Sequence, residues 1–287
     1  MTRIDLAEGR IGLIAGSGRL PIEIIESLNA RGAKPFLVLI EGEAEPLPLF
    51  TSHEHGWLRV EDFGRLVPML KSAGVERVVM AGGVARRPAL KSIRWSWSLV
   101  SMLPRLVTAL ASGDDVLLRT IIGHLEAHGI AVVGAHELAP DLLAGAGLIA
   151  GPKPSAADMR DVHAAAQAAR AIGALDIGQA AIAIGGRAVA LEGIEGTEGL
   201  IERVAGMRGH GRLAGRSGGV LVKCAKPAQD LRADLPAIGP DTVDAAFAAG
   251  LKGIALDAER AFILDFATTV ARAKAHGVFI YGLKGDD

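Results

Sequence analysis

The segment KCAKPAQDLRADLP, residues 223–236, follows the apolar run GGVLV and crowds opposite charges into one short loop. Lys223, Lys226 and Arg232 are cations suited to neutralising anionic oxygens, and Asp230 and Asp234 are acceptors for a metal ion or a water molecule. Gln229 adds an amide, while Pro227 and Pro236 restrict φ and preorganise the backbone. A loop that is polar only for solvation has no need of so many cations or of two prolines. These residue types together suit phosphoryl transfer, in which cations offset charge on phosphate oxygens and carboxylates hold Mg²⁺ or orient a nucleophile.

Other stretches offer compatible chemistry. In GSGRLP (16–21) a strand meets a helix at Gly16, Ser17, Gly18 and Arg19, where backbone N–H groups can face an anion. The third glycine of a dinucleotide fingerprint is missing, so a tight strand-to-helix turn explains the stretch equally well. After AGG comes a basic run, with Gly82, Arg86 and Arg87 followed by Lys91, Arg94, Trp95 and Trp97. Two arginines at a strand end can hold a phosphate, and cations beside tryptophans also describe a segment lying on anionic lipid. A helix buried on one face and solvated on the other accounts for it too.

Asp114 and Asp115 open a helix; capping explains one carboxylate and leaves the other for a cation or ligand. His124, His128 and His136 lack metal-site spacing and read as ordinary surface or core residues. Gln179 precedes an apolar hairpin whose far end carries Glu192, Glu195 and Thr197. A glycine and hydroxyl at a helix start can receive a phosphate, and adjacent carboxylates can hold Mg²⁺ through water. Ala225, between the two lysines, stands where a carboxylate would be well placed for metal or water. No nucleophile elbow, P-loop or Ser–His–Asp pattern is present, and Cys224 has no nearby base in sequence.

These residues need a framework. Short apolar runs at 11–18, 35–42, 57–60 and 76–84 alternate with amphipathic stretches at 20–32 and 62–74, the pattern of a parallel sheet covered on both faces. The segment 86–129 reads as mostly helical, and 130–138 as a further strand. The texture then changes to GAGLIAGPKPSAADMRD, rich in Gly, Pro, Ala and Ser. A second alternation follows: a helix over 164–176, a hairpin over 179–196 turned at Gly185–Gly186, and further helices near 197–209, 240–250 and 267–277. Strands are expected at 218–227 and 278–283, with two paired strands within 253–266. The expected class is α/β, with a Rossmann-like parallel-sheet domain over 1–145, a linker at 146–160 and a second α/β domain over 161–287, the catalytic one.

The 287 residues carry a formal net charge of −1, which gives no general attraction for nucleic acid. Half the residues are apolar, 4% are aromatic and 37 are glycine, a composition suited to helices packed close on sheets. The single cysteine fits a reducing cytosol, and Asp5 and Glu8 interrupt the apolar core that a signal peptide would need. No apolar run of about 18 residues is present. The expectation is a cytoplasmic protein whose membrane contact, where it has any, is peripheral.

Taken in order, IGLIAGSGRLP, MAGGVARRP, GDDVLLR, LDIGQA, LEGIEGTEG and VKCAKPAQDLRADLPAIGPDT resemble the LpxI-type UDP-2,3-diacylglucosamine pyrophosphatases over nearly the whole chain. The resemblance implies an N-terminal Rossmann-like domain joined to a distinct C-terminal α/β domain. It implies Mg²⁺-dependent cleavage of UDP-2,3-diacylglucosamine to UMP and 2,3-diacylglucosamine 1-phosphate (lipid X) in lipid A synthesis, with water attacking the sugar-side phosphorus. Gly16, Ser17, Gly18, Arg19, Gly82, Arg86 and Arg87 would face the ligand from the first domain. Asp114, Asp115, Gln179, Glu192, Glu195 and Thr197 would line the reacting side with Lys223, Lys226, Gln229, Asp230, Arg232 and Asp234. Of these, Asp114, Asp115, Glu192 and Glu195 are the expected metal ligands, and Lys223, Lys226, Asp230, Arg232 and Asp234 the expected catalytic group. Glu198 stands where the family often has aspartate, which keeps the charge. The cytoplasmic face of the inner membrane and a homodimer are further expectations. Two rival classes remain: a nicotinamide-dependent oxidoreductase, and a non-enzymatic nucleotide or lipid carrier.

Overall fold

Apolar and amphipathic stretches alternate along the chain because each strand can bury its faces only under helices, and two such layered units result. The computed structural model describes residues 6, 9–86, 114–213, 215–227, 230–232 and 234–285. The division is not at one point in the sequence. Met1–Asp141 and Asp230–Asp234 form the first unit; Leu142–Gln229 and Leu235–Asp287 form the second.

In the first unit, strands β1 (Arg10–Ala15), β2 (Phe36–Ile40), β3 (His55–Leu58), β4 (Val75–Ala81) and β5 (Ala131–Val132) make one sheet in the order β3-β2-β1-β4-β5. Every neighbouring pair is parallel. This is a doubly wound order, and the direction of winding changes between β1 and β4. The helices among its described residues are α1 (Leu20–Ala30), α2 (Pro48–Thr51), α3 (Leu66–Ser72), α4 (Asp114–Ala127) and α5 (Ala135–Leu138). Pro21 in the first turn of α1 has no N–H to leave unsatisfied there. All of β2 is buried, and Val38, Leu70, Val78 and Leu125 pack in the core of this unit.

The second unit is built on a mixed sheet. Its strands are β6 (Gly147–Ala150), β7 (Ala180–Ala183), β8 (Ala188–Leu191), β9 (Val220–Lys223), β11 (Gly253–Asp257) and β13 (Phe279–Leu283), in the order β6-β13-β11-β9-β7-β8. The three central strands β13, β11 and β9 are parallel, whereas β6 and β7 run against them and β8 runs against β7. A short parallel pair, β10 (Ala237–Ile238) and β12 (Phe262–Ile263), lies apart. Helices α6 (Ala156–Ala174), α7 (Gly196–Gly206), α8 (Pro240–Ala248) and α9 (Phe266–His276) complete the unit. The stretch expected as a linker carries β6 and the start of α6.

Local chemistry explains the strongest elements. Ser155 caps α6: its hydroxyl accepts from the Asp158 amide at 3.2 Å, and Asp158 accepts from the Ser155 amide at 2.8 Å. The buried face of α6 is Val162, Ala165, Ala166 and Ala169, small enough to lie close on Ala181, Ala183, Val222 and Ala255 of the sheet. The β7–β8 hairpin turns through Gly185 (φ 66°) and Gly186 (φ 77°), closed by Ile184 N–H to Arg187 O at 2.9 Å. Two successive positive φ values define the two-residue turn that glycine favours.

One expectation needs correction. Residues 253–257 and 262–263 are both strands, but they do not pair with each other: β11 lies between β9 and β13, and β12 pairs with β10. All five residues of β11 are buried, as a central strand of a parallel sheet requires, and a hairpin would have left it at an edge. Of the segment expected to be mostly helical, residues 87–113 lie outside the described part, and α4 supplies the rest. The expected strand 130–138 is only β5, followed by the single turn of α5. Among the described residues no helix is long and apolar enough to cross a membrane.

Candidate active site

The second sheet gathers polar groups at one edge. Its parallel strands β9, β11 and β13 end there, β7 begins there and β8 ends there, because the register pairs Lys223 with Ala180 and with Leu256, and Leu191 with Ala181. The C-terminal edge of parallel strands is where open α/β sheets bind ligands, since the strand ends leave loops and free backbone groups. Gln179, Glu192, Lys223 and Lys226, four of the residues singled out by sequence, therefore meet at this edge.

Glu192 is its anchor. Its side chain is buried, and both oxygens are engaged: Oε2 accepts from the Gln179 amide and Oε1 from the Thr197 hydroxyl, each at 2.7 Å. One carboxylate thus locks the start of β7 to the end of β8 and to the first turn of α7. Gly178 makes the approach feasible, since a Cβ there would lie 2.6 Å from Glu192 O. The Gln179 side chain adds a buried Oε1 with no hydrogen-bond partner among the described residues, an exception to the rule that buried polar atoms are paired.

The lysines are also held. Lys223 is buried, and its Nζ donates to Ala237 O at 2.9 Å. Lys226 Nζ donates to Asp176 Oδ1 at 2.5 Å. Between them the Cys224 thiol is buried, and burial together with the nearby Asp257 carboxylate pushes its pKa up to about 12. It is a neutral thiol under ordinary conditions and no nucleophile. Ala225 is buried as well, and its amide donates to Asp257 Oδ2 at 3.0 Å. The carboxylate beside Ala225 thus comes from the neighbouring strand, and both its oxygens are held by protein donors.

In the first unit, Gly16, Ser17, Gly18 and Gly82 stand at the corresponding edge, at the switch point between β1 and β4. Ser17 and Gly83 exchange backbone hydrogen bonds at 2.8 and 3.0 Å, and the Ser17 hydroxyl donates to Gly83 O at 3.0 Å. A Cβ on Gly16 would sit 2.2 Å from Gly83 O, and one on Gly82 would sit 2.5 Å from Ser17 O. Only glycine permits this close approach. Arg19 pairs with Glu23 at 3.2 Å. Arg86 lies over Gly42, its Nη2 donating to Glu41 O and its amide donating to Glu43, both at 3.1 Å.

Asp230 and Arg232 belong to this first unit, apart from the two lysines that precede them in sequence. Arg232 grips Asp230 through Nε to Oδ1 at 3.0 Å and Nη2 to Oδ2 at 2.7 Å, and its Nη1 reaches Glu126 of α4 at 2.6 Å. These bonds to Arg232 hold the Asp230 carboxyl below its usual range, and they raise the guanidinium in turn. Asp234 is exposed. Asp114 and Asp115 begin α4, while Arg87, Gln229, Trp95 and Trp97 lie outside the described residues.

The family models for the LpxI N-terminal and C-terminal domains match residues 10–142 and 145–281. The chain belongs to the LpxI family. A relative from Caulobacter vibrioides, named UDP-2,3-diacylglucosamine pyrophosphatase LpxI, is 35% identical over 279 residues, covering 96% of this chain and 97% of its own. A solved structure of isoflavone reductase aligns with 98% of this chain and 80% of its own at 14% identity and a TM-score of 0.29, a likeness too slight to bear on fold or function.

Among the described side chains of this LpxI chain, the Mg²⁺ that the resemblance implies finds no ready cage. Both Glu192 oxygens are taken by protein donors, and Glu195 is paired with Arg203 at 2.6 Å. Among the described residues no three His, Cys, Asp or Glu side chains converge as a cation site.

Sequence reasoning missed two members of the LpxI sheet edge. Asp257 ends β11, and Arg170 of α6 reaches it at 3.3 Å. LDA at 256–258 carries no motif, and only the register that places Leu256 beside Lys223 reveals Asp257. His124 and His136 are buried and engaged in packing. Burial lowers both pKa values, with His128 adding to the effect at His124.

Proposed function

We propose that this LpxI chain is a hydrolase that cleaves the pyrophosphate of UDP-2,3-diacylglucosamine to UMP and 2,3-diacylglucosamine 1-phosphate (lipid X) in lipid A biosynthesis. The observation that carries the reading is the strand-end edge where Lys223 and Lys226 stand with Gln179 and the fixed Glu192 carboxylate, in a chain alignable almost end to end with a named pyrophosphatase. A pyrophosphate carries charge on both phosphorus centres, and two ammonium groups at a protected edge offset the charge that spreads over the phosphoryl oxygens as the bond breaks.

In the proposed reaction a water oxygen bonds to the sugar-side phosphorus, the bond from that phosphorus to the bridging oxygen breaks, and UMP departs with the bridging oxygen. One of the water's two protons passes to a general base and the other stays on the phosphate of lipid X. Dependence on Mg²⁺ belongs to the same proposal. Mg²⁺ often reaches a site on substrate phosphates with only one or two protein carboxylates, and Glu192 and Glu195 are already held by protein donors. A place at the cytoplasmic face of the inner membrane, towards which two acyl chains would draw the substrate, and a homodimer complete the proposal.

The deciding experiment incubates the protein with UDP-2,3-diacylglucosamine, with and without EDTA, and reads out UMP and lipid X. UMP with lipid X, both suppressed by EDTA, is the expected result. Tight binding with no UMP would favour a carrier, and a change in reduced-nicotinamide fluorescence on mixing would favour an oxidoreductase.

A further inference from the structure

Asp257 is the last residue of β11, a central strand, and only 9% of it is exposed. The β9–β11 ladder ends at the Lys223–Leu256 pair. Just past that end, the Cys224 amide is taken by Gln179 O at 2.9 Å. The Ala225 amide has no strand to pair with and donates to Asp257 Oδ2 at 3.0 Å. The other oxygen, Oδ1, accepts from Arg170 Nη2 at 3.3 Å. One carboxylate therefore joins β9, β11 and α6. A buried carboxylate is costly unless paired and hydrogen-bonded, and here both oxygens are spent on the geometry of one strand end.

That strand end bears the two lysines. Lys223 and Lys226 flank the Cys224–Ala225 pair that Asp257 fixes, and α6 meets the same segment a second time just beyond its C-terminus. There Asp176, in the left-handed region at φ 54°, accepts from Lys226 Nζ at 2.5 Å. Gly173 lies between the two contacts, where a Cβ would come 3.5 Å from Lys226 Cα. The Arg170–Asp257 and Asp176–Lys226 pairs hold one helix end against one strand end.

We propose that Asp257, acting through the Ala225 amide and Arg170, is the positioning residue that sets where Lys223 and Lys226 stand during phosphoanhydride hydrolysis, an inference that rests on the function proposed above. It acts through the backbone of Ala225, and its removal displaces the two ammonium groups.

The test compares Asp257→Asn, Asp257→Ala and Arg170→Met with wild type by UMP release, and independently by ¹⁵N–¹H spectra of the substrate-free protein. Misplacing reacting groups by about 1 Å costs up to about 10²-fold in rate. Asp257→Ala is expected to lower kcat about 10- to 100-fold with KM changed by less than about threefold. Asp257→Asn, which keeps an acceptor for the Ala225 amide, is expected to lose less. The Ala225 amide and Lys226 side-chain resonances should move in both Asp257 variants, and signals from β6 should stay in place. A folded Asp257→Ala protein with kcat within about twofold of wild type, or with Lys226 resonances unmoved, overturns the proposal. If wild type releases no UMP, the proposed function fails by itself, and the resonances alone then decide whether Asp257 positions the lysines.

Discussion

Arg232 holds Asp230 in a two-pronged grip, Nε on one carboxylate oxygen at 3.0 Å and Nη2 on the other at 2.7 Å, while its Nη1 reaches Glu126 on α4. Parallel bonds of this kind fix direction as well as distance. The segment 230–232 is thereby attached to the first unit, although it follows β9 of the second in sequence.

The grip predicts an acid-sensitive contribution to stability. The folded pKa of Asp230 is depressed, chiefly by its bonds to Arg232. Its contribution is therefore present above the ordinary carboxylate pKa of about 4 and lost as pH falls through the folded value. Asp230→Asn should cost about 1 kcal/mol at pH 7, the scale of a partly exposed ion pair. The difference from wild type should vanish in strong acid. Urea unfolding at pH 7 and at low pH measures it, and an equal loss at both would show that the contact is not ionic.

Glu192 should prove structural as well as functional. Glu192→Ala leaves the Gln179 amide and Thr197 hydroxyl without their acceptor, at a cost of about 2 kcal/mol. Glu192→Gln keeps one acceptor and should lose less. Thermal unfolding ranks the variants, and equal stability of all three proteins would mean that the buried carboxylate secures nothing.

Cys224 should report alkaline loosening of the site. Its thiol pKa is raised to about 12, first by burial and next by Asp257. A raised pKa means that stability is intact below the unfolded thiol value of about 8.5 and declines as pH rises above it towards the folded value. Alkylation by iodoacetamide at pH 8 is expected only on unfolding. Rapid labelling of folded protein would contradict a buried, neutral thiol.

The approach of β1 to β4 leaves no room for a methyl group. Gly16→Ala must displace Gly83 O, which would lie 2.2 Å from the new Cβ. A loss of about 2 kcal/mol is expected, typical of overpacking. Weaker inhibition by UMP should accompany it if this edge holds part of the ligand. Unchanged unfolding would show that the two loops separate freely.

The element pattern was largely legible because period and punctuation act locally. The apolar runs that became β1, β2, β4, β9 and β13 were each bounded by turn residues, and Gly185–Gly186 named its own turn. Pairing was less visible: Gly253–Asp257 and Phe262–Ile263 are adjacent in sequence, yet each found its partners elsewhere, since burial on both faces sends β11 to the sheet centre. At the candidate site, Glu192 betrayed itself as a carboxylate at the end of an apolar alternation. Asp257 and Arg170 did not, because a single acid after a strand and a single base on a helix acquire meaning only when register brings them together. The charged loop read as one unit from sequence is in fact divided, with Lys223 and Lys226 in one unit and Asp230 and Arg232 in the other.

The central claim is that the strand end carrying Lys223 and Lys226 is where the phosphoanhydride bond is broken. The most direct measurement is single-turnover UMP release from UDP-2,3-diacylglucosamine by Lys223→Ala and Lys226→Ala, with substrate affinity determined on the same samples. The account predicts a fall of about 10²–10³ in turnover, the scale of losing a preorganised transition-state contact, with affinity changed far less. Correctly folded variants that release UMP at the wild-type rate would contradict it.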